Sequence, residues 1–142
     1  MQQSLKALAE VARRHAEVEG AGDLDAILAT MEGEPVYDFH PVGRRFTGMA
    51  RTRRYYAYFI EHVRPRIAGF EQHSEWLGPD GLVQEYSVSI MPEDMAGTPV
   101  THRVLGILTF GSERLSGERL YSDDAFFRFL IGPLWDELEP IA

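Results

Sequence analysis

Between Gly69 and Asp123 the chain runs through "GFEQHSEWL", "GLVQEYSVSIM", "PVTHRVLGILTF" and "RLSGERLYSD", short segments rich in β-branched and aromatic residues and mostly separated by Gly, Pro or Asp. That spacing predicts strands joined as hairpins. In the second segment Leu82, Tyr86, Val88 and Ile90 share one side while Glu85, Ser87 and Ser89 share the other, the alternation of a sheet with one buried face. In the last segment Arg119, Tyr121 and Asp123 share a face. A sheet of this kind needs a second layer to cover it, and the first part of the chain supplies one.

Leu5, Leu8, Ala12, His15 and Ala16 recur at helical spacing, so an amphipathic helix is expected over roughly residues 3–19, with Gly20 and Gly22 ending it. Asp23 suits the N-cap of a short helix through Leu24, Ile27, Leu28 and Met31, closed by Gly33 and Pro35. After Gly48, Met49, Tyr56, Phe59, Ile60 and Val63 mark one face of a third helix that Pro65 terminates. Between them "YDFHPVGRRFTG" reads as a loop, first extended and then turned by Pro41 and Gly43. The tail "DAFFRFLIGPLWDEL" adds a short helix. The expected architecture is α+β, three N-terminal helices packed on a curved, mostly antiparallel sheet that encloses an apolar pocket.

At 142 residues the chain is read as one domain, 1–142. Its formal charge of −8 opposes binding to a phosphate backbone, so no nucleic-acid partner is expected. The exception is the basic run Arg44, Arg45, Arg51, Arg53, Arg54, Arg64 and Arg66, read as a solvated helix face before an anion site. Cysteine is absent, which excludes disulfides, thiolate metal sites and Cys nucleophiles. No stretch approaches the ~20 apolar residues that span a bilayer, and no apolar run has signal-peptide length, so neither a membrane partner nor a location outside the cytoplasm is expected. His62, His73 and His102 show no HExxH or His-x-His spacing, and no Walker, GxGxxG or GxSxG motif occurs. Neither a metal nor another cofactor is expected.

From "AGDLDAILAT" through "YDFHPVGRRFTGMARTRRYYAYF" the sequence resembles the NTF2-like superfamily, and within it the ketosteroid isomerases and SnoaL-like polyketide cyclases. The resemblance rests on the "GDLDAI" helix, the "PVG" turn and the later Gly before a helix with paired aromatics. It implies an open cone with an apolar cavity, and a homodimer. The position of the isomerases' general-base aspartate falls on His40, that of their oxyanion tyrosine on His15, and that of their second oxyanion acid near Gly106. In the cyclases a catalytic aspartate ends the final strand in a pattern like GKIxExWxxxD. Here "ERLSGERLYSD" places Asp123 there, with Arg119 in place of the tryptophan. The Asp-Arg-Asp set of the epoxide hydrolases is not evident around Arg103.

The candidate catalytic residues are therefore His40, Asp123 and His15. His40 titrates near neutrality when unperturbed, and its bland alternative is a loop histidine bonded to a carbonyl. Asp123 is read either as a proton shuttle flanked by Arg119 and Tyr121 or as the N-cap of the last helix. His15 is read either as a satisfied core histidine or as a polarising imidazole in the cavity. Tyr37, Tyr55, Phe59, Trp76, Arg119 and Tyr121 are the candidate substrate-binding residues. The expected activity is cofactor-independent proton transfer next to a carbonyl in a small hydrophobic molecule, as in isomerisation, cyclisation or dehydration. In that scheme Asp123 or His40 is the acid/base, and His15 and Tyr37 stabilise the enolate oxygen. The alternative is a small-molecule-binding or dimerisation module of the same fold without chemistry.

Overall fold

The structure, a computed structural model, describes residues 4–141. Ser4 accepts a hydrogen bond from the Ala7 amide and caps helix α1 (Leu5–Ala21), and Gly22, at φ 73°, closes it. Gln3, inside the expected helix, lies outside the described residues. Asp23 caps α2 (Leu24–Ala29) through the Ala26 amide. Met31, expected as the last apolar position of that helix, instead opens strand β1 (Met31–His40).

The expected loop around "YDFHPVGRRFTG" is half of a strand pair. β1 turns at Pro41 and Gly43 into β2 (Arg44–Thr47), with Tyr37 opposite Phe46 and Asp38 opposite Arg45. Its other edge pairs parallel with β6 (Leu115–Tyr121), Tyr37 beside Glu118 and Phe39 beside Leu120. The sheet thus begins before the third helix, because neighbours remote in sequence satisfy the backbone on both sides of this segment.

Helix α3 (Met49–Tyr58) continues through a π turn (Phe59–Val63) and a 3₁₀ turn (Arg64–Arg66) that contains Pro65. There follow β3 (Ile67–Gly78), β4 (Gly81–Ile90), β5 (Val100–Phe110) and β6, then α4 (Asp124–Ile131), a 3₁₀ turn (Gly132–Glu137) and the short β7 (Glu139–Pro140). The sheet order is β3-β4-β5-β6-β1-β2-β7, antiparallel throughout except for the β1–β6 pair. Register shifts within β3 and near the ends of the β5–β6 and β1–β6 pairs give the sheet its bend. Gly117, at φ 147°, lets β6 approach β1: a Cβ there would overlap the Val36 carbonyl oxygen.

The helices cover one face of the sheet. Tyr37, Phe39, Phe46, Tyr55 and Phe127 pack as a continuous aromatic core at the closed end, with Tyr37 and Phe46 stacked at 4.8 Å between centroids. The basic run is largely absorbed by individual partners. Arg45 grips Asp38 at 2.6 and 2.9 Å, Arg54 grips Glu137, Arg64 and Arg66 donate to the Gly20 and Met91 carbonyls, and Arg44 lies over Trp135. No helix among the described residues is long and apolar enough to cross a membrane.

Glu32 ties the β5–β6 turn to β1 by accepting hydrogen bonds from the Ser112, Glu113 and Arg114 amides. Partial burial works against its charge, but these donors outweigh it and hold the carboxyl below its usual range. A carboxylate with a depressed folded-state pKa stabilises above its unfolded pKa and ceases to do so as the pH falls through the folded value. Hydrogen exchange of the Ser112–Arg114 amides is therefore expected to accelerate in acid, relative to neighbouring strands. Glu32→Gln should show the faster exchange already at neutral pH.

Candidate functional site

Between the helices and the inner face of β3 to β6 lies a cavity of about 640 Å³. The strand alternation dictates its sheet-side wall. Tyr86, Val88 and Ile90 of β4, Leu108 of β5 and Leu120 of β6 all point inward. The opposite wall comes from α1, α3 and the π turn, which presents Phe59 and Val63 together. Phe126 and Leu130 of α4 close one end, and Ile67, Phe70 and Arg64 border the mouth. The walls are mostly apolar, so the few polar groups that reach the cavity would dominate its chemistry.

Of the residues singled out from the sequence, His15, Tyr55 and Phe59 line this cavity. Tyr37 is fully buried one layer behind it, its hydroxyl 2.6 Å from that of Tyr56. The others stand elsewhere. Arg119, with Val83 and Ile107, edges a separate shallow hollow on the outer face of the sheet. Tyr121 shares the parity of Arg119, is 40% exposed and stacks on His40 at 4.9 Å. Trp76, opposite Val83 on the edge strand, is 53% exposed.

Asp123 caps α4. Its Oδ1 accepts the Phe126 amide at 2.7 Å and its Oδ2 lies 2.6 Å from Nδ1 of His102. Burial raises the pKa of this carboxyl, but the two hydrogen bonds outweigh that and hold it below the usual value. Both oxygens of Asp123 are thus engaged, one by the helix it caps and one by His102. His40, on the last residue of β1, faces Tyr121 and not the cavity. Neither residue is among those that line the cavity.

Two carboxyls reach the cavity, Glu19 of α1 and Glu118, which lies two residues before Leu120 on the same face of β6. Glu118 is only 9% exposed, no hydrogen bond from the described residues reaches its carboxyl, and its oxygens open on the cavity. Burial, with a smaller contribution from the charge of Glu19, pushes its pKa well above the usual carboxylate value. Gly106, on the neighbouring strand, makes room for it: a Cβ at that position would lie 3.1 Å from Glu118 Oε1. The sequence carried a signal for Glu118, its phase with Leu120. A charged residue beside Arg119 reads as solvated until the sheet is seen from inside.

A hydrogen-bonded chain runs along the helical wall. Thr30 donates its hydroxyl to the Ile27 carbonyl at 2.6 Å, so towards His15 Nδ1, 2.7 Å away, it acts as acceptor. Nδ1 therefore carries a proton, and Nε2 is the variable position. Nε2 lies 3.0 Å from the Tyr56 hydroxyl and 3.2 Å from Glu19 Oε2. Without a proton Nε2 accepts from Tyr56. With one it donates to Glu19, and the Tyr56 hydroxyl is released for another acceptor. Burial, chiefly, and then neighbouring negative or phenolic charge push Tyr37, Tyr55, Tyr56 and Tyr86 well above the ordinary phenol pKa. All four remain protonated donors. Tyr56 was not among the expected binding residues, because its helical phase marked it only as core.

No family model matches this chain, and no curated protein matches it in sequence. Solved structures do match over most of its length. An NTF-2 like protein of unknown function from Burkholderia xenovorans is 21% identical, with a TM-score of 0.61 over 84% of each chain. A candidate isomerase from Bacillus subtilis is 14% identical, with a TM-score of 0.69 over 92% of this chain and 96% of that one. A Catenulispora acidiphila protein with a ketosteroid isomerase-like fold, in complex with trimethylamine, is 16% identical, with a TM-score of 0.61 over 79% of this chain and 84% of that one. The fold of this chain is NTF2-like, as the resemblance in its sequence implied.

Proposed function

We propose that this NTF2-like chain is a cofactor-independent proton-transfer enzyme of the isomerase, cyclase or dehydratase type, acting on a small, largely apolar carbonyl compound. The observation that carries the reading is the Glu118 carboxyl, on a largely buried residue, without a hydrogen-bond partner among the described residues and open to an apolar cavity. A carboxyl whose proton is held more tightly than in water is a stronger base once ionised and can exchange a proton near neutral pH.

In this scheme Glu118 removes a proton from the carbon next to the carbonyl and returns it at a second carbon, or leaves it to a departing hydroxyl. Tyr56 donates its hydroxyl to the carbonyl oxygen as negative charge develops there. Tyr37 donates to Tyr56 from behind, and His15, when its Nε2 donates to Glu19, leaves the Tyr56 proton free to face the substrate. Such prepositioned donors need no rearrangement during the reaction, which is why they stabilise the charge so effectively. Tyr55, Phe59, Tyr86 and Leu120 hold the substrate's apolar body.

The test is exchange of the α-protons of 2-tetralone for deuterium, followed by proton NMR. Wild type should accelerate exchange well above buffer, and Tyr56→Phe should lower the protein-dependent rate by about 10²-fold, the usual loss for one oxyanion donor. Ketone binding with exchange no faster than buffer would make the cavity a binding site without chemistry.

Exposed Trp76 and Tyr121, with Arg119, on the outer sheet face support assembly as a homodimer through that surface. Sedimentation equilibrium of wild type beside Trp76→Glu should show a dimer that the substitution dissociates.

A further inference from the structure

We infer that the ligand of this cavity is a small organic cation, an apolar body carrying a protonated or quaternary amine. The inference deepens the proposed function and rests on its premise that this cavity is the ligand site. Two carboxylates, Glu19 and Glu118, open on the cavity. Neither positive group that lines it with them pairs with Glu118. Arg64 stands exposed at the mouth with its Nε on the Gly20 carbonyl, and His15 is held by Thr30 at one nitrogen and placed between Tyr56 and Glu19 at the other. Glu118 is left without a counter-ion or hydrogen-bond donor from the described residues, on a largely buried side chain whose oxygens open only on the cavity. Buried carboxylates are normally paired, and the side of Glu118 that lacks a partner is the side that faces the cavity.

The remaining walls suit the same occupant. Tyr55, Tyr56, Phe59, Phe70, Tyr86 and Phe126 all border the cavity. Aromatic faces attract organic ammonium groups, and a methylated ammonium needs no hydrogen-bond acceptor from them. An anionic ligand would meet Arg64 and Glu19 together at the entrance and then Glu118 inside, with no cation beside it. A neutral ligand would offer the Glu118 carboxyl no counter-ion. The formal charge of −8 favours the approach of a cation to the mouth.

The groups that face Glu118 are Glu19 and His15 from α1, Tyr55 and Tyr56 from α3, Tyr37 from β1 and Tyr86 from β4. The phenols stay neutral, so a cation entering beside Glu118 favours its carboxylate form and releases a proton to solvent. The substrate thereby ionises the base that acts on it.

The test uses three probes of nearly one shape: choline, its neutral carbon isostere 3,3-dimethylbutan-1-ol, and the anion 3,3-dimethylbutanoate. Calorimetric dissociation constants on wild type should favour choline over the alcohol by about 10-fold or more, with the anion weakest. Glu118→Gln should bring choline and the alcohol within about 2-fold of each other. Glu19→Gln should narrow the gap by a smaller factor, and thermal melts confirm that both variants fold. Equal or tighter binding of the alcohol, preference for the anion, binding of none of the three, or an unchanged gap in Glu118→Gln would overturn the inference. Choline preference without α-proton exchange would overturn the enzyme reading alone. Exchange without a preference for the cation would overturn the charge inference alone.

Discussion

Replacing Glu118 by glutamine is expected to lower α-proton exchange by about 10²- to 10⁴-fold, the range lost with a general base, and at the same time to make the protein more stable at neutral pH. The two effects have one cause. Burial and the Glu19 charge raise the folded-state pKa of Glu118, so between its unfolded and folded pKa values the native protein holds a proton that the unfolded chain has released. Stability therefore falls as the pH rises through that window, the opposite of a salt-bridged carboxylate. A glutamine side chain keeps the shape and never ionises. Urea unfolding from about pH 4 to pH 8 should show wild type and variant nearly alike at the acid end. The variant should be more stable by about 1–3 kcal/mol at the neutral end, the usual cost of an unpaired buried polar group. A variant that loses exchange but is also less stable at neutral pH would show that Glu118 is structural.

The largest loss of stability is expected from Gly117→Ala, above about 4 kcal/mol and enough to prevent accumulation of folded protein. The reason is local and steric. At φ 147° the Gly117 backbone lies in a region that L side chains rarely adopt, and the added Cβ would overlap the Val36 oxygen and sit 2.8 Å from the Val36 carbonyl carbon and nitrogen. That contact is with backbone, in the single parallel pair that joins β1 to the rest of the sheet, so no rotamer change relieves it. Gly33 is the matched control. It also has positive φ, at 64°, but an added Cβ would meet no atom within 4 Å. Gly33→Ala should therefore cost only about 1–2 kcal/mol. Circular dichroism and urea midpoints of the two variants measure the difference. Similar midpoints would mean that the β1–β6 approach is not required.

The parts of the fold visible in the sequence are those whose periodicity is local. The four strands from Ile67 onward could be read from alternation, and the caps at Asp23 and Asp123 from short polar side chains before helical runs. β1 was hidden because "MEGEP" begins it, with Gly33 and Pro35 reading as breaks, and because its partner β6 lies about eighty residues away. The site was half legible for a related reason. Alternation says that Glu118 and Arg119 face opposite ways, but not which way is inward, and the triplet Arg119, Tyr121 and Asp123 drew the reading to the outer face. Only the packing of Leu120 against the helical layer decides it. The His15 chain needed Thr30 and Tyr56, which meet it from separate elements.

The π turn at Phe59–Val63 carries one more residue per turn than the α-helix it continues. The extra residue is taken up within that turn, so the residues on either side keep their facing, and Phe59 and Val63 both reach the cavity wall. A codon gained or lost at such a turn is absorbed locally, so the helix can change length there while its neighbours on the cavity wall stay in place.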